Sequence, residues 1–305
     1  MISVIIPAYN EEGNVIPLYI RLRAVLDGIG DTWEIVFVDD GGTDKTLINL
    51  RNLVEKDNRV KIIEFARNFG KAAALSAGFE NSKGNIIITM DSDLQDDPIE
   101  IPRLLEKLKY YDLVVGWKHQ RKDPITKKIA SKIFNWLIRL TTKIKLHDSD
   151  CNFRIMRREV IENLNIYGGL FRYIPSLAYW KGFKVGEVKV RHNKRFSGKT
   201  KFKGIMRLIK GFLDLITINY LINYRTSPLY FFGFIGMGFS FLGILSGFYL
   251  LYLKYFLGLL IGNRPLLFLT ILLVLLGVQF IFFGILGEMV INTQKEKNYR
   301  IRRIL

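Results

Sequence analysis

The chain has 305 residues, 49% of them hydrophobic, and carries 45 Lys and Arg against 28 Asp and Glu, a net charge of +17. That length allows one large domain or two smaller ones, and the basic excess points to an anionic partner: nucleic acid, a phosphate-bearing substrate or an anionic membrane surface. The single cysteine, Cys151, excludes an intramolecular disulfide and suits a reducing compartment.

Met1 leads directly into the apolar run Ile2–Ile6, with no basic stretch and apolar core of a signal peptide ahead of it. The N-terminal part is therefore expected in the cytosol. Up to about residue 117, short apolar runs at Ile2–Ile6, Glu34–Val38, Val60–Phe65, Asn85–Met90 and Leu113–Gly116 alternate with helical patterns near 14–27, 44–56, 70–81 and 99–110. Apolar strands alternating with helices predict an α/β fold with a mainly parallel sheet covered on both faces. In such sheets ligands bind beyond the carboxyl ends of the strands.

After Gly116, residues 124–145 and 204–224 mix apolar residues such as Ile133, Trp136, Leu208 and Phe212 with Lys and Arg. Both read as amphipathic helices, either facing a protein core or, as the nearby spans favour, lying in a membrane interface. Leu229–Leu253 and Leu266–Gly287 hold no charged residue, and each has the roughly 20 apolar residues that cross a bilayer core. The short connection Lys254–Pro265 makes them a helical hairpin. Lys201, Lys203, Arg207, Lys210 and Arg225 precede it, and Lys295, Lys297, Arg300, Arg302 and Arg303 follow, whereas the connection carries Lys254 and Arg264. The positive-inside rule puts both ends of the hairpin in the cytosol. Gly243 and Gly247 are spaced for close helix packing. The predicted organisation is a cytosolic catalytic domain over 1–203, an interfacial helix over 204–225, and a two-span hairpin with a basic tail over 226–305. Because the charge gathers at the membrane flanks, a nucleic-acid partner is not expected.

Chemistry-bearing residues stand where strands end. Met90-Asp91-Ser92-Asp93-Leu94-Gln95 follows the fourth strand. Residues two apart in extended chain point the same way, so Asp91 and Asp93 converge and can hold a hard divalent ion against a diphosphate. Asp96 or Asp97 suits the cap of the helix near Pro98. Asp39-Asp40-Gly41-Gly42 ends the second strand and can place either carboxylate against a ribose or base, with Thr43 or Asp44 as the next helix cap. Pro7-Ala8-Tyr9-Asn10-Glu11 after the first strand is weak in isolation. A basic loop, with Arg195, Lys199 and Lys201, lies just before the interfacial helix, where a lipid phosphate would arrive. A Gly-x-Gly-x-x-Gly fingerprint and a Walker loop are both missing, and His119, His147 and His192 lack metal-ligand spacing.

Together these runs resemble the family 2 glycosyltransferases of GT-A fold, and within them the polyprenyl-phosphate sugar synthases typified by dolichyl-phosphate mannose synthase. The resemblance covers essentially the whole chain. It implies that Pro7, Ala8, Tyr9, Glu11, Asp39 and Asp40 meet the nucleoside of a nucleotide-sugar. It likewise implies that Asp91 and Asp93 bind Mg²⁺ or Mn²⁺ and the diphosphate, with Gln95 beside the metal, and that Arg67 through Lys71 lie next to the donor. His147 to Arg154 is similar to a family stretch reading Asp, any, Gly, Cys, with Asp148 in the acidic position and Asp150 replacing the glycine. Arg191 to Lys201 is similar to the family's basic acceptor loop, with Thr200 in place of serine, and Gly42 stands where serine is common.

The expected activity is inverting, metal-dependent transfer of a sugar, with GDP-mannose and UDP-glucose the leading donors, to a dolichyl or undecaprenyl phosphate. Asp93, Asp148 and Asp150 are the expected catalytic residues. The rivals are transfer to a protein or glycan hydroxyl, and a non-catalytic membrane scaffold that retains the fold. A processive polysaccharide synthase would carry Gln-x-x-Arg-Trp, which is missing here. The hairpin leaves homo-oligomerisation open.

Overall fold

The computed structural model describes residues 1–119, 146–164, 168–193, 216–224 and 227–293, with isolated positions between them. They form two compact units, Met1–Ile218 and Asn219–Leu305.

The first unit is built on a seven-stranded sheet: β1 (Ile2–Ala8), β2 (Trp33–Asp39), β3 (Val60–Glu64), β4 (Ile86–Thr89), β5 (Leu113–Lys118), β6 (Arg154–Arg157) and β7 (Val185–Val190). Their order is β3-β2-β1-β4-β6-β5-β7. Every pairing is parallel except those of β6, which runs antiparallel to both β4 and β5. The mainly parallel sheet expected from the apolar runs is therefore present, with one reversed strand in its middle. β2 is buried along its whole length and β1 nearly so, as strands covered on both faces must be.

Helices α1 (Val15–Ile29), α2 (Thr46–Lys56), α3 (Lys71–Asn81) and α4 (Ile101–Lys107) follow β1 to β4 in turn. On α1, Val15, Leu18, Leu22 and Leu26 are buried at helical spacing, and Gly30 ends the helix in the left-handed conformation (φ 80°) that glycine adopts without cost. α4 is shorter than the sequence pattern predicts, because a 3₁₀ turn at Pro98–Glu100 takes its first residues; Asp97 caps that turn by accepting from the Ile99 N–H. Short helices α5 (Arg158–Glu162) and α6 (Ile174–Trp180) lie between β6 and β7.

At the amino-terminal edge of the sheet, Arg59 donates to Asp57 Oδ2 and to Asp27 Oδ1, both at 2.9 Å, and stacks 3.8 Å over the Trp33 ring. The Tyr19 hydroxyl donates to Asp57 Oδ2 at 2.8 Å. This cluster ties α1 to the turn before β3.

The second unit contains α7 (Pro228–Tyr255) and α8 (Pro265–Thr293), packed as a hairpin. At 28 and 29 residues each is about 42 Å long, more than the roughly 30 Å of a bilayer core. Both are long and apolar enough to cross a membrane. Large side chains such as Phe234 and Phe268 point outward, while glycines line the seam. A Cβ at Gly236 would lie 2.6 Å from the Gly277 carbonyl oxygen, and one at Gly243 2.7 Å from Val274 Cγ2. Ser246 and Thr270 share a 2.8 Å hydrogen bond across the seam. Gly243 thus makes the close approach its spacing predicts; Gly247 faces Thr270 at an ordinary 3.6 Å. Most of the two amphipathic stretches, 124–145 and 204–224, lies outside the described residues.

The hydrogen bonds from Arg59, beside a smaller opposing effect of burial, hold the Asp57 carboxyl well below its ordinary 3.8. A depressed carboxyl stabilises fully above its unfolded pKa and loses that contribution as pH falls through the folded value. Asp57→Ala is expected to cost about 2 kcal/mol at pH 7, or roughly 4–8 °C in melting temperature. The gap from wild type should narrow below about pH 4, read by thermal melts at pH 7 and pH 3.

Candidate active site

Because β1, β2 and β4 are parallel neighbours, their carboxyl ends open on one edge of the sheet. A cleft of about 500 Å³ lies there. Its walls bring together Pro7 and Ala8 at the end of β1, Tyr9 and Glu11 after it, Asp40 after β2, Lys71 at the start of α3, Asp91, Asp93 and Gln95 after β4, and Asp150. These are ten of the residues singled out from sequence. Asn68, Gly70, Ser92, Asn152, Phe171 and Arg172 complete the lining.

Some expected residues do not line the cleft. Asp39 is buried and is not part of the lining. Burial pushes its carboxyl up, with the Gly42 amide pulling the other way. Asp148 is also buried, so of the pair Asp148 and Asp150 it is Asp150 that faces the cleft. Arg67 is exposed, with its guanidinium 4.8 Å from the Phe69 ring. Arg195, Lys199, Thr200 and Lys201 lie outside the described residues.

Backbone geometry places the cleft's first wall. Asn10 adopts a left-handed φ of 53°, a conformation asparagine tolerates, and its Oδ1 accepts the Thr43 N–H at 2.7 Å. Gly41 has φ 68°, and a Cβ there would come within 2.4 Å of the Arg67 carbonyl carbon. Only glycine fits, and its absence of a side chain lets the 66–70 loop lie against the end of β2. Asp40 fastens that loop, accepting the Phe69 N–H at 2.7 Å and the Gly70 N–H at 3.0 Å. Asp44 caps α2 by accepting the Thr46 N–H at 2.9 Å, and it also accepts from Glu12 N–H at 3.1 Å.

The electrostatics centre on Asp91. Its Oδ1 is ion-paired with the Lys71 ammonium, and its Oδ2 accepts from Asn152 Nδ2 at 3.3 Å. Burial pushes the Asp91 carboxyl up, but Lys71 and Lys118 outweigh it and hold it below the usual carboxylate range. Lys118, from β5, is paired at 2.7 Å with Asp96, which is fully buried while the lysine is mostly so. Burial opposes the Lys118 charge, yet the neighbouring carboxylates, Asp96 foremost, raise its pKa well above the lysine norm. Leu94 sits between Asp93 and Gln95 at φ 61°, a strained conformation for a branched residue; its buried side chain holds it there.

The far wall hangs on Arg154. This buried guanidinium donates to the carbonyls of Cys151 and Phe171 at 2.6 Å each, Ser149 at 3.3 Å and Arg172 at 3.4 Å. It therefore joins the 149–151 loop to the 3₁₀ segment Gly168–Tyr173 that carries Phe171 and Arg172. Arg172 Nε stands 3.8 Å from Asp150 Oδ1.

Asp91, Asp93 and Gln95 offer hard oxygen donors in one wall, and Asp91 already holds a cation, the Lys71 ammonium. Among the described residues no three His, Cys, Asp or Glu side chains are placed to hold a metal ion by themselves. That donor set fits Mg²⁺ or Mn²⁺, which share one or two protein carboxylates with substrate oxygens, and does not fit a closed all-protein site.

A carboxylate-bearing cleft at the carboxyl ends of a mainly parallel sheet is the arrangement expected of a nucleotide-sugar glycosyltransferase of the GT-A type. Residues 3–164 match the model of the family described as glycosyl transferase family 2, and the chain belongs to that family. Among its relatives is the dodecaprenyl-phosphate galacturonate synthase of Rhizobium johnstonii, 38% identical over 99% of this chain and 92% of that protein. Another is the undecaprenyl-phosphate 4-deoxy-4-formamido-L-arabinose transferase of Pseudomonas paraeruginosa, 34% identical over 94% of this chain and 84% of that one. In fold, the first unit is similar to glucosyl-3-phosphoglycerate synthase from Mycobacterium tuberculosis, solved with Mn²⁺, uridine diphosphate and phosphoglyceric acid. The TM-score is 0.56 at 19% identity, over 72% of this chain and 77% of that one.

Burial raises the Cys151 thiol to about 12, and the side chain is 3% exposed. A thiol so placed is a poor nucleophile at neutral pH. Cys151 should resist a thiol reagent such as DTNB at pH 8 in the folded protein and react fully in guanidinium, read by absorbance. Gly41→Ala should weaken binding of a nucleoside diphosphate by about tenfold or more, because the strained φ and the clash with Arg67 move the 66–70 loop; calorimetric titration would measure it.

Proposed function

We propose that this glycosyltransferase moves a sugar from a nucleotide-sugar to the phosphate of a long polyprenyl lipid, of the undecaprenyl or dodecaprenyl kind. The observation that carries this reading is the near full-length similarity to transferases named for polyprenyl-phosphate products, extending through the apolar helices. The cleft supplies the chemistry. In this reading the first unit and both ends of the hairpin are cytosolic.

The phosphate oxygen of the lipid attacks the anomeric carbon from the face opposite the leaving group. The carbon–oxygen bond to the nucleoside diphosphate breaks, the diphosphate leaves with the electron pair, and configuration inverts. Tyr9, Glu11 and Asp40 position the nucleoside. Asp91, Asp93 and Gln95 would hold a divalent ion, which would supply neutralisation of charge developing on the departing diphosphate. Lys71 adds a second cation beside the same oxygens. A phosphate monoester has its second pKa near 6 and is largely dianionic at neutral pH, so no base need deprotonate it. Asp150 then steers the acceptor, and the loop with Arg195, Lys199, Thr200 and Lys201 receives its phosphate.

The donor panel includes GDP-mannose and UDP-glucose, extended by nucleotide forms of galacturonate and 4-deoxy-4-formamido-L-arabinose. The test combines purified protein in detergent, Mg²⁺ or Mn²⁺, a short polyprenyl phosphate and this panel, with mass spectrometry for a glycosylated lipid phosphate. Product from a donor is expected, with a loss of about 100-fold or more in Asp93→Ala and on chelation, corresponding to about 3 kcal/mol of transition-state stabilisation. A donor that binds without yielding lipid product would overturn the acceptor.

A hydroxyl acceptor is the second reading, favoured by one observation, the carboxylate of Asp150 in the cleft. A hydroxyl needs a general base, worth about 10²–10⁴-fold. Asp150→Asn should keep turnover within about tenfold for a phosphate acceptor; a loss of that larger size in kcat would favour the hydroxyl.

A further inference from the structure

We infer that the Lys71 ammonium is a tethered stand-in for the divalent ion: it occupies the ion's place at Asp91, and ion and diphosphate displace it together. The inference rests on the metal assignment made above and concerns how the site loads.

Two lysines neutralise the acidic turn after β4, and their settings differ. Lys118 and Asp96 form a locked pair, with side chains 13% and 0% exposed. Lys71 and Asp91 form an accessible pair in the cleft wall, at 25% and 29%. Lys71 holds Oδ1 of Asp91 and Asn152 approaches Oδ2, so a second cation at this carboxylate meets the ammonium's charge at close range. A divalent ion binding Asp91 must therefore share or expel the ammonium.

Lys71 has somewhere to go. It opens α3, where unsatisfied backbone N–H groups and the positive end of the helix dipole favour an anion. A lysine in that place gains nothing from its own helix, and its partner has to be an external negative group. Asp91 fills that role in the free chain, and a diphosphate fills it in the loaded one. The lysine stem is flexible and its ammonium compact, so the exchange needs side-chain rotation alone. The Phe171 ring, with its centroid 5.7 Å from Nζ, flanks the ammonium within cation–π range. Ion and diphosphate consequently bind cooperatively. The ion alone meets an opposing charge, and a diphosphate arriving with the ion relieves it.

The test is direct Mn²⁺ binding to the full chain in detergent, read as the free Mn²⁺ signal by electron paramagnetic resonance, with and without UDP or GDP. Wild type should bind Mn²⁺ weakly alone and at least tenfold more tightly with nucleotide. Lys71→Met should bind Mn²⁺ alone about tenfold more tightly than wild type, from removal of one adjacent positive charge, and should lose most of the nucleotide enhancement. Lys71→Arg keeps the charge and should retain wild-type weakness, which separates charge from any change in folding; thermal melts check that both variants fold. Unchanged or weaker Mn²⁺ binding in Lys71→Met, while Asp93→Ala still abolishes it, would overturn the inference and leave the metal assignment standing. Mn²⁺ binding insensitive to Asp93→Ala would overturn both.

Discussion

Carboxylates crowded at the ends of parallel strands have to be met by positive charge, and this requirement organises the first unit. A buried ion whose partner is lost costs several kcal/mol. Asp91 and Asp96 stand five residues apart on one turn, and their counter-charges come from different parts of the sequence. Lys71 arrives on α3, which follows β3, and Lys118 on β5. The Lys71 pair needs β4 beside β1, and the Lys118 pair needs β5 in the sheet as well. The site is therefore a condition of the fold as well as its product. Asp40 meets the same requirement by a different route, through two backbone N–H groups.

Arg154 extends this logic to main-chain carbonyls. A guanidinium has five donors in a rigid fork, and four carbonyl oxygens from two separate segments take them up. Burial pulls the Arg154 pKa below the arginine norm, and the nearby Cys151, Asp150, Asp91 and Asp148 oppose that in part. The result is a cleft whose two walls differ in construction. One is made of strand ends, and the other is a loop and a 3₁₀ segment held by a single side chain.

These constructions explain what was legible in the sequence. Five strands were readable because each is an apolar run long enough to stand out, and Asp91 and Asp93 because they directly follow one. β6 was not: it is four residues bounded by Arg154 and Arg157, and an arginine at a strand end reads as surface unless its carbonyl partners are known. β7 alternates Val185, Glu187 and Lys189 with small or apolar residues, a weak pattern beside the long apolar runs. Phe171 and Arg172 follow Gly168-Gly169-Leu170, where nothing local signals a ligand; they reach the cleft through Arg154. Asp39 shows the limit of reading the end of a strand. Asp39, the last residue of β2 and the register partner of Ala8 on β1, is buried, whereas Asp40 one step on lines the cleft. The hairpin was legible because its pattern is composition over a length, which needs no partner to interpret.

The reversed strand has a consequence for the order in which the chain becomes a protein. Synthesis runs from the N-terminus, and segments fold as they emerge. β1, β2, β3 and β4 find their partners among themselves, but β4 then presents a bare edge. β5 is made next and has no neighbour in the sheet until β6 follows it. An exposed strand edge invites pairing with another chain. The nascent molecule thus passes through a stage, ending about halfway along its length, in which half of a sheet is finished and the other half waits for four residues.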